Sequence, residues 1–223
     1  MIETNVLGTL NVLEAARKIK PKRVVHTSTS EVYGTARYTP IDEAHPLQGQ
    51  SPYSASKIGA DKVAESYWRS FGVPVVTLRP FNTYGPRQSA RAVIPTIITQ
   101  ALSGREIRLG SLAPTRDFTF VTETARGFLC AAGASDRAIG REINLGGGFE
   151  IGVGDLAKKI MAIVGRDLPI ICEDERLRPE SSEVQRLLSQ NALAAELIDW
   201  RPEIGLDEGL RRTIAWFRDN SGF

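Results

Sequence analysis

The sequence is poor in the residues that build cross-links and metal cages. Its 223 residues include two cysteines, two histidines and two methionines. Cys130 and Cys172 stand far apart and form no CxxC pair, so neither a disulfide framework nor a zinc ribbon is expected, and a reducing, cytoplasmic compartment is the default. His26 and His45 have no ligand-like spacing, which predicts no metal site. No apolar run approaches the roughly 20 residues of a membrane-spanning helix. The first residues, Met1 to Asn5, do not read as a secretory leader. The net charge is only +2, and no Lys/Arg run has the density of a nucleic-acid arm. Lysine is scarce, 7 against 21 arginines. Guanidinium is the better fork for phosphate and carboxylate, so the bias hints at anionic small ligands, although a GC-rich genome produces the same bias.

What remains is ordinary globular material. Hydrophobic residues make up 42% and charged residues 24%, enough for one substantial domain or two small ones. Val6, Leu7, Leu10, Leu13 and Ala16 recur at helical spacing and predict a helix from Glu3 to Ile19, ended by Pro21. Residues 23–27 read as a strand leading into a hydroxyl-rich run, and residues 34–52 as a Pro- and Gly-containing loop. Ser51-Pro52 opens a helix that Gly72 stops. Further strands are predicted at 75–78, 107–109, 117–120, 142–145 and 169–172. Further helices are predicted at 93–102, 122–132, 153–164, 192–198 and 206–218, with 82–88 a loop. This alternation predicts an α/β fold with a mostly parallel sheet and a soft boundary near residue 90.

Two clusters carry chemistry. Tyr53 and Lys57 are four apart on a predicted helix and share a face. An ammonium beside a phenol lowers the phenol's pKa, which makes the pair a proton acceptor for an alcohol undergoing oxidation. A helix start with a surface lysine is the bland alternative. Thr27-Ser28-Thr29-Ser30-Glu31 sets hydroxyls and a carboxylate at the carboxyl end of a strand, where open α/β sheets bind ligands. Glu31 is placed to abstract a carbon-bound proton while Ser30 or Thr29 holds a substrate hydroxyl; a polar surface turn is the alternative.

Residues 29–34 (Thr-Ser-Glu-Val-Tyr-Gly), 53–57 (Tyr-Ser-Ala-Ser-Lys) and 79–88 (Arg-Pro-Phe-Asn-Thr-Tyr-Gly-Pro-Arg-Gln) together resemble the extended short-chain dehydrogenases/reductases, specifically their NAD-dependent nucleotide-sugar epimerase/dehydratase group. Residues 5–11, 116–121, 178–179 and 197–202 resemble further segments of that family in the same order. The Glu at 31 is similar to the 4,6-dehydratases and some decarboxylases, whereas simple 4-epimerases usually lack it. Residues 88–95 and 178–184 look most like dehydratases of UDP-N-acetylglucosamine in bacterial nonulosonate pathways, alongside the GDP-mannose type. The resemblance implies that Tyr53, tuned by Lys57, takes the proton of the sugar C4 hydroxyl, and that Glu31 removes the C5 hydrogen. Ser30, or a water it holds, would protonate the departing C6 hydroxyl, in place of the family's frequent Asp. Ser28 or Thr29 would orient the C4 hydroxyl. Tyr53, Lys57, Ser28 and Pro80 would face NAD, and Asn82, Arg91, Arg116 and Arg178 would hold the nucleotide diphosphate.

The same resemblance implies a Rossmann-like part over residues 1–90 and a mainly substrate-binding part over 91–223, some of whose segments return to the sheet. It also implies a homodimer or larger assembly made through the helices at 3–19 and 52–71. The family's opening strand, glycine-rich turn and helix for the NAD pyrophosphate have no counterpart ahead of Glu3, so a partial Rossmann-like sheet is expected. Other readings of the function are a 4-epimerase or decarboxylase of the same family, and a silent nucleotide-sugar-binding module without NAD. Gly152-Val153-Gly154-Asp155-Leu156-Ala157 matches a dinucleotide fingerprint. Asp155 would sit where the pyrophosphate belongs, so this run is expected to be a plain helix start. His26 is expected to be structural and His45 exposed. Trp68, Trp200 and Trp216 are expected on apolar helix faces, and Gly146-Gly147-Gly148 in an interdomain turn.

Overall fold

A computed structural model of the chain describes residues 1–173 and 184–220. The first helix begins with a π-helical turn over Glu3–Leu7 and continues as α1 (Gly8–Ile19). β1 (Val24–Thr27) ends in a 3-10 turn over Ser30–Tyr33, which Thr29 caps by accepting the Glu31 N–H at 3.2 Å. After a long loop, α2 (Pro52–Phe71) starts with a reciprocal Ser51–Ser54 capping box and Pro52 in its first turn, and stops at Gly72 with φ 66°. β2 (Val75–Pro80), β3 (Asn82–Tyr84), α3 (Val93–Ser103) and β4 (Ile107–Leu109) follow. Then come β5 (Thr115–Arg116), β6 (Phe118–Phe120), α4 (Val121–Gly133) and β7 (Glu142–Leu145). The chain finishes with β8 (Ile151–Gly152), α5 (Val153–Val164), β9 (Ile170–Cys172), α6 (Ala192–Ile198) and α7 (Leu206–Asp219).

β1, β2 and β7 form a parallel sheet in that order. β2 is its central strand and is buried along nearly its whole length, as a parallel strand covered on both faces must be. Its side chains alternate between two cores. Val75 packs with Leu13 and Ala16 of α1 and Ala64 and Tyr67 of α2. Val76 and Leu78 face the other way, onto Ala131, Ile143, Leu145, Leu197 and Trp200. Each such aliphatic side chain contributes on the order of 1.5–3 kcal/mol when fully buried. A separate core gathers α3, α5 and α7 around Tyr84, Phe118 and Phe120. Beside it lie three two-stranded ladders: β3–β6 and β4–β9 parallel, β5–β8 antiparallel.

The expected α/β alternation is present, with four local differences. The predicted strand at 117–120 is β6, and a further short strand, β5, precedes it; between them Asp117 turns its carboxylate inward to accept N–H groups from Gly147, Gly148 (3.1 Å) and Ser189 (3.0 Å). The predicted loop at 82–88 begins with β3. Trp200 is not on a helix; it follows α6 and is fully buried, its indole N–H donating to the Glu123 carbonyl at 3.0 Å. His45 is 2% exposed rather than exposed. Its ring accepts the Arg37 N–H through Nε2, bonds the Pro46 carbonyl through Nδ1 (both 2.9 Å) and packs against Tyr33 and Tyr38, so the loop folds around it.

Candidate active site

The carboxyl ends of β1 and β2 and the start of β3 open toward the turn before α3 and the β5–β6 segment. Between them lies a cleft of about 350 Å³, within the range of small-molecule sites. Glu31, Asn82, Arg91 and Arg116 all line it, with Val93, Leu109 and Pro114 among the apolar walls. Four residues singled out from separate stretches of sequence therefore meet in one cavity. Asn82 is pinned by its backbone N–H (3.1 Å) and side-chain amide (3.3 Å) to the Asp117 carbonyl. Arg116 donates to the Thr115 carbonyl at 2.9 Å. Arg91 precedes the first turn of α3, whose N-cap, Ala92, makes no side-chain cap. A guanidinium beside a helix N-terminus suits an anion. Arg178 lies outside the described residues.

Tyr53 sits in the first turn of α2 and is 39% exposed. Its phenol lies beside Thr29 and close enough to Glu31 to feel its charge. Burial and then the Glu31 carboxylate push the phenol above its ordinary pKa, and Thr29 opposes them. This corrects the expectation that Lys57 lowers it. The Lys57 ammonium is turned to the Thr27 carbonyl at the end of β1, and burial lowers its own pKa. The phenol's charged neighbour is thus a carboxylate, not the ammonium.

Ser28 is buried and donates to Asp61 Oδ2 at 2.8 Å. Ser30 is 3% exposed and is not among the side chains lining the cleft. Pro80 ends β2, opposite Leu145 in the ladder. His26 bonds Asp61 through Nε2 at 3.1 Å, the structural role expected of it. Asp61 and Arg79 were not singled out from the sequence as site residues, yet both are buried directly behind Lys57 and Ser28. The i+4 step from Lys57 to Asp61 was the signal available.

The Gly152–Ala157 run is a helix start in the α3/α5/α7 core, where the Val153 and Gly154 N–H groups donate to the carbonyls of Pro114 (3.2 Å) and Leu112 (3.1 Å). Those donors are committed to backbone, not to a pyrophosphate. Among the described residues no cluster of three or more His, Cys, Asp or Glu is arranged for a metal, and no helix is long and apolar enough to cross a membrane.

The family model described as GDP-mannose 4,6 dehydratase matches residues 1–213. A UDP-glucose 4-epimerase of Mycolicibacterium smegmatis is 33% identical over 222 residues, covering 97% of this chain and 69% of that protein. A dTDP-glucose 4,6-dehydratase of an Actinoplanes species is 34% identical over 220 residues, covering 98% and 67%. Among solved structures, a UDP-glucuronic acid 4-epimerase of Bacillus cereus in complex with UDP-glucuronic acid and NAD superposes with a TM-score of 0.90 at 27% identity, covering 98% of this chain and 68% of that one. The chain spans about two thirds of the length of these proteins. With its parallel sheet, its Tyr53–Lys57 helix and its arginine-bearing cleft, this chain belongs to the NAD-dependent nucleotide-sugar epimerase/dehydratase family of the short-chain dehydrogenases/reductases.

Proposed function

We propose that the chain carries the catalytic and sugar-nucleotide-holding part of a nucleotide-sugar 4,6-dehydratase. The observation that carries this reading is the meeting of a carboxylate, Glu31, with Arg91, Arg116 and Asn82 in one cleft, next to the Tyr53 phenol. In it the arginines and Asn82 bind the diphosphate, since a pyrophosphate calls for fork-shaped cations and amide donors. Arg178 joins them by resemblance. The sugar lies between Tyr53 and Glu31. Tyr53 accepts the C4 hydroxyl proton, with Thr29 or Ser28 orienting that hydroxyl. A keto group at C4 acidifies the C5 hydrogen, and Glu31 removes it. Ser30, or a water it holds, donates the proton that leaves with the C6 oxygen as water.

The dinucleotide of this family fits the site at its reactive end. Ser28 and Pro80 lie at the ends of β1 and β2, and Tyr53 and Lys57 on the helix beside them. NAD, when bound there, supplies the acceptor for the C4 hydride and its return to C6. Relatives of comparable identity are named as epimerases and as dehydratases, so the sugar and the reaction belong to this proposal. One observation favours an epimerase instead: the buried Ser30 does not line the cleft, which leaves the C6 departure without an evident acid. We also assign a homodimer to the chain, made through the apolar residues that α1 and α2 leave exposed.

The test is incubation of the purified chain with NAD and, in turn, UDP-, dTDP- and GDP-sugars, read by mass spectrometry. Loss of one water supports the dehydratase, unchanged mass with an altered sugar supports the epimerase, and loss of carbon dioxide supports a decarboxylase. Tyr53→Phe is expected to lower turnover by roughly 10²–10⁴-fold. Turnover undiminished in that variant would remove Tyr53 from the mechanism.

A further inference from the structure

Tyr53, Lys57 and Asp61 follow one another at i, i+4 and i+8 on α2, so all three lie on the helix face turned to the end of β1. Asp61 is 3% exposed, and its two oxygens are shared among donors from both neighbouring strands. Ser28 Oγ donates at 2.8 Å and His26 Nε2 lies at 3.1 Å, both from the β1 side. Arg79 of β2 reaches it through Nη2 at 3.1 Å and Nε at 3.3 Å. Arg79 is buried in turn and bonds the Tyr33 hydroxyl at 3.1 Å, which donates to Asn144 Oδ1 at 2.7 Å. A buried ion pair is a poor way to weld a helix to a sheet, since apolar residues of equal volume are often as stable or more so. The arrangement does something an apolar weld cannot: it holds a fixed negative charge one helical turn from Lys57.

Two features tie this charge to Lys57. Lys57 is half-buried, and Asp61 is the charge that opposes the effect of burial on its ammonium. Asp61 also grips Ser28, the residue after Thr27, whose carbonyl receives the Lys57 ammonium. We propose that Asp61 is the positioning residue of the site: it locks the end of β1 onto α2 through Ser28, and its carboxylate balances the Lys57 ammonium. The charged and titratable groups facing it are His26 from β1, Arg79 from β2 and Lys57 on its own helix, with Tyr33 behind Arg79. Asp61 touches no substrate in this account; it acts through Lys57 and Ser28. The catalytic meaning rests on the proposed roles of Tyr53 and Lys57, but the charge coupling is measurable without them.

The experiment is a pH titration of the Lys57 Cε resonance in the full chain labelled with 13C-lysine, assigned by its loss in Lys57→Arg. Asp61→Asn keeps an acceptor for Ser28 and removes the charge, and the Lys57 midpoint is expected to fall by roughly half a pH unit or more. That variant leaves Arg79 as an unpaired buried cation and can unfold, so Asp61→Asn/Arg79→Gln, which removes both charges, is measured against Arg79→Gln, and its Lys57 midpoint is expected to lie below that of Arg79→Gln. His26→Gln removes a partner and leaves the carboxylate, so its Lys57 midpoint is expected to stay with the parent. A Lys57 midpoint no lower in the folded double variant than in Arg79→Gln overturns the inference. A parent chain that turns over no sugar nucleotide overturns the proposed function while leaving this titration readable.

Discussion

The Tyr53 phenol stands between two opposed influences. Thr29 stabilises its ionised form, and burial together with the Glu31 carboxylate disfavours that form. The net result raises its pKa, so the ligand-free protein is expected to keep Tyr53 protonated to higher pH than a free tyrosine. Removing the negative charge eases ionisation, so Glu31→Gln should move the Tyr53 midpoint downward. Titration of 13Cζ-tyrosine resonances checks both statements; an upward or absent shift in Glu31→Gln would show that the two groups do not interact. The same substitution is expected to lower dehydration by roughly 10²–10⁴-fold. Tyr53 and Glu31 were legible as candidates from residue type and spacing. Their mutual charge was not, because which side chain faces the phenol depends on how the 3-10 turn at Ser30–Tyr33 docks against the start of α2.

At the scale of elements, α2 is the piece that positions the chemistry, and its first turn is capped by the two serines that flank Tyr53. Ser51 accepts the Ser54 N–H at 3.1 Å while Ser54 Oγ accepts the Ser51 N–H at 3.0 Å, and Tyr53 lies between them. Ser51→Ala is expected to cost about 1 kcal/mol in urea-unfolding free energy, the usual worth of an N-cap. It should also reduce turnover more than stability, because the fraying turn carries Tyr53; an undiminished rate would show that the turn is held from elsewhere. This element was readable from the sequence at both ends, since Ser-Pro at its start and Gly72 at its stop are local signals. The Gly152–Ala157 run marks the limit of such signals. Its glycines match a phosphate-binding pattern, but the N–H groups are taken by the carbonyls of Pro114 and Leu112, which are remote in sequence.

At the scale of the whole molecule, several of the exposed large apolar residues lie on the first two helices. Leu7, Val12 and Ile19 on the first helix and Phe71 at the end of α2 are all exposed, on two helices that pack side by side. In the proposed homodimer these side chains would be covered by the partner. Light scattering coupled to size exclusion is expected to report a dimer, and Val12→Glu to shift it toward monomer; a monomer at all concentrations in the parent chain would refute the assembly.

Local pattern alone determined the order of the longer helices and strands, the α/β class, and the pairing of Tyr53 with Lys57 on one helix face. Each depends on periodicity or on neighbours a few residues apart. Only the tertiary structure decided that Glu31, Asn82, Arg91 and Arg116 share one cleft, that the Lys57 ammonium turns to the Thr27 carbonyl, and that His45 is enclosed by its loop. It also decided that Asp61 and Arg79 form a buried pair behind the site, and that Asp117 ties residues 147, 148 and 189 together. These features rest on contacts between segments far apart in the chain. Their energies come from burial and from hydrogen-bond partners that exist only once the sheet and the helices have closed around them.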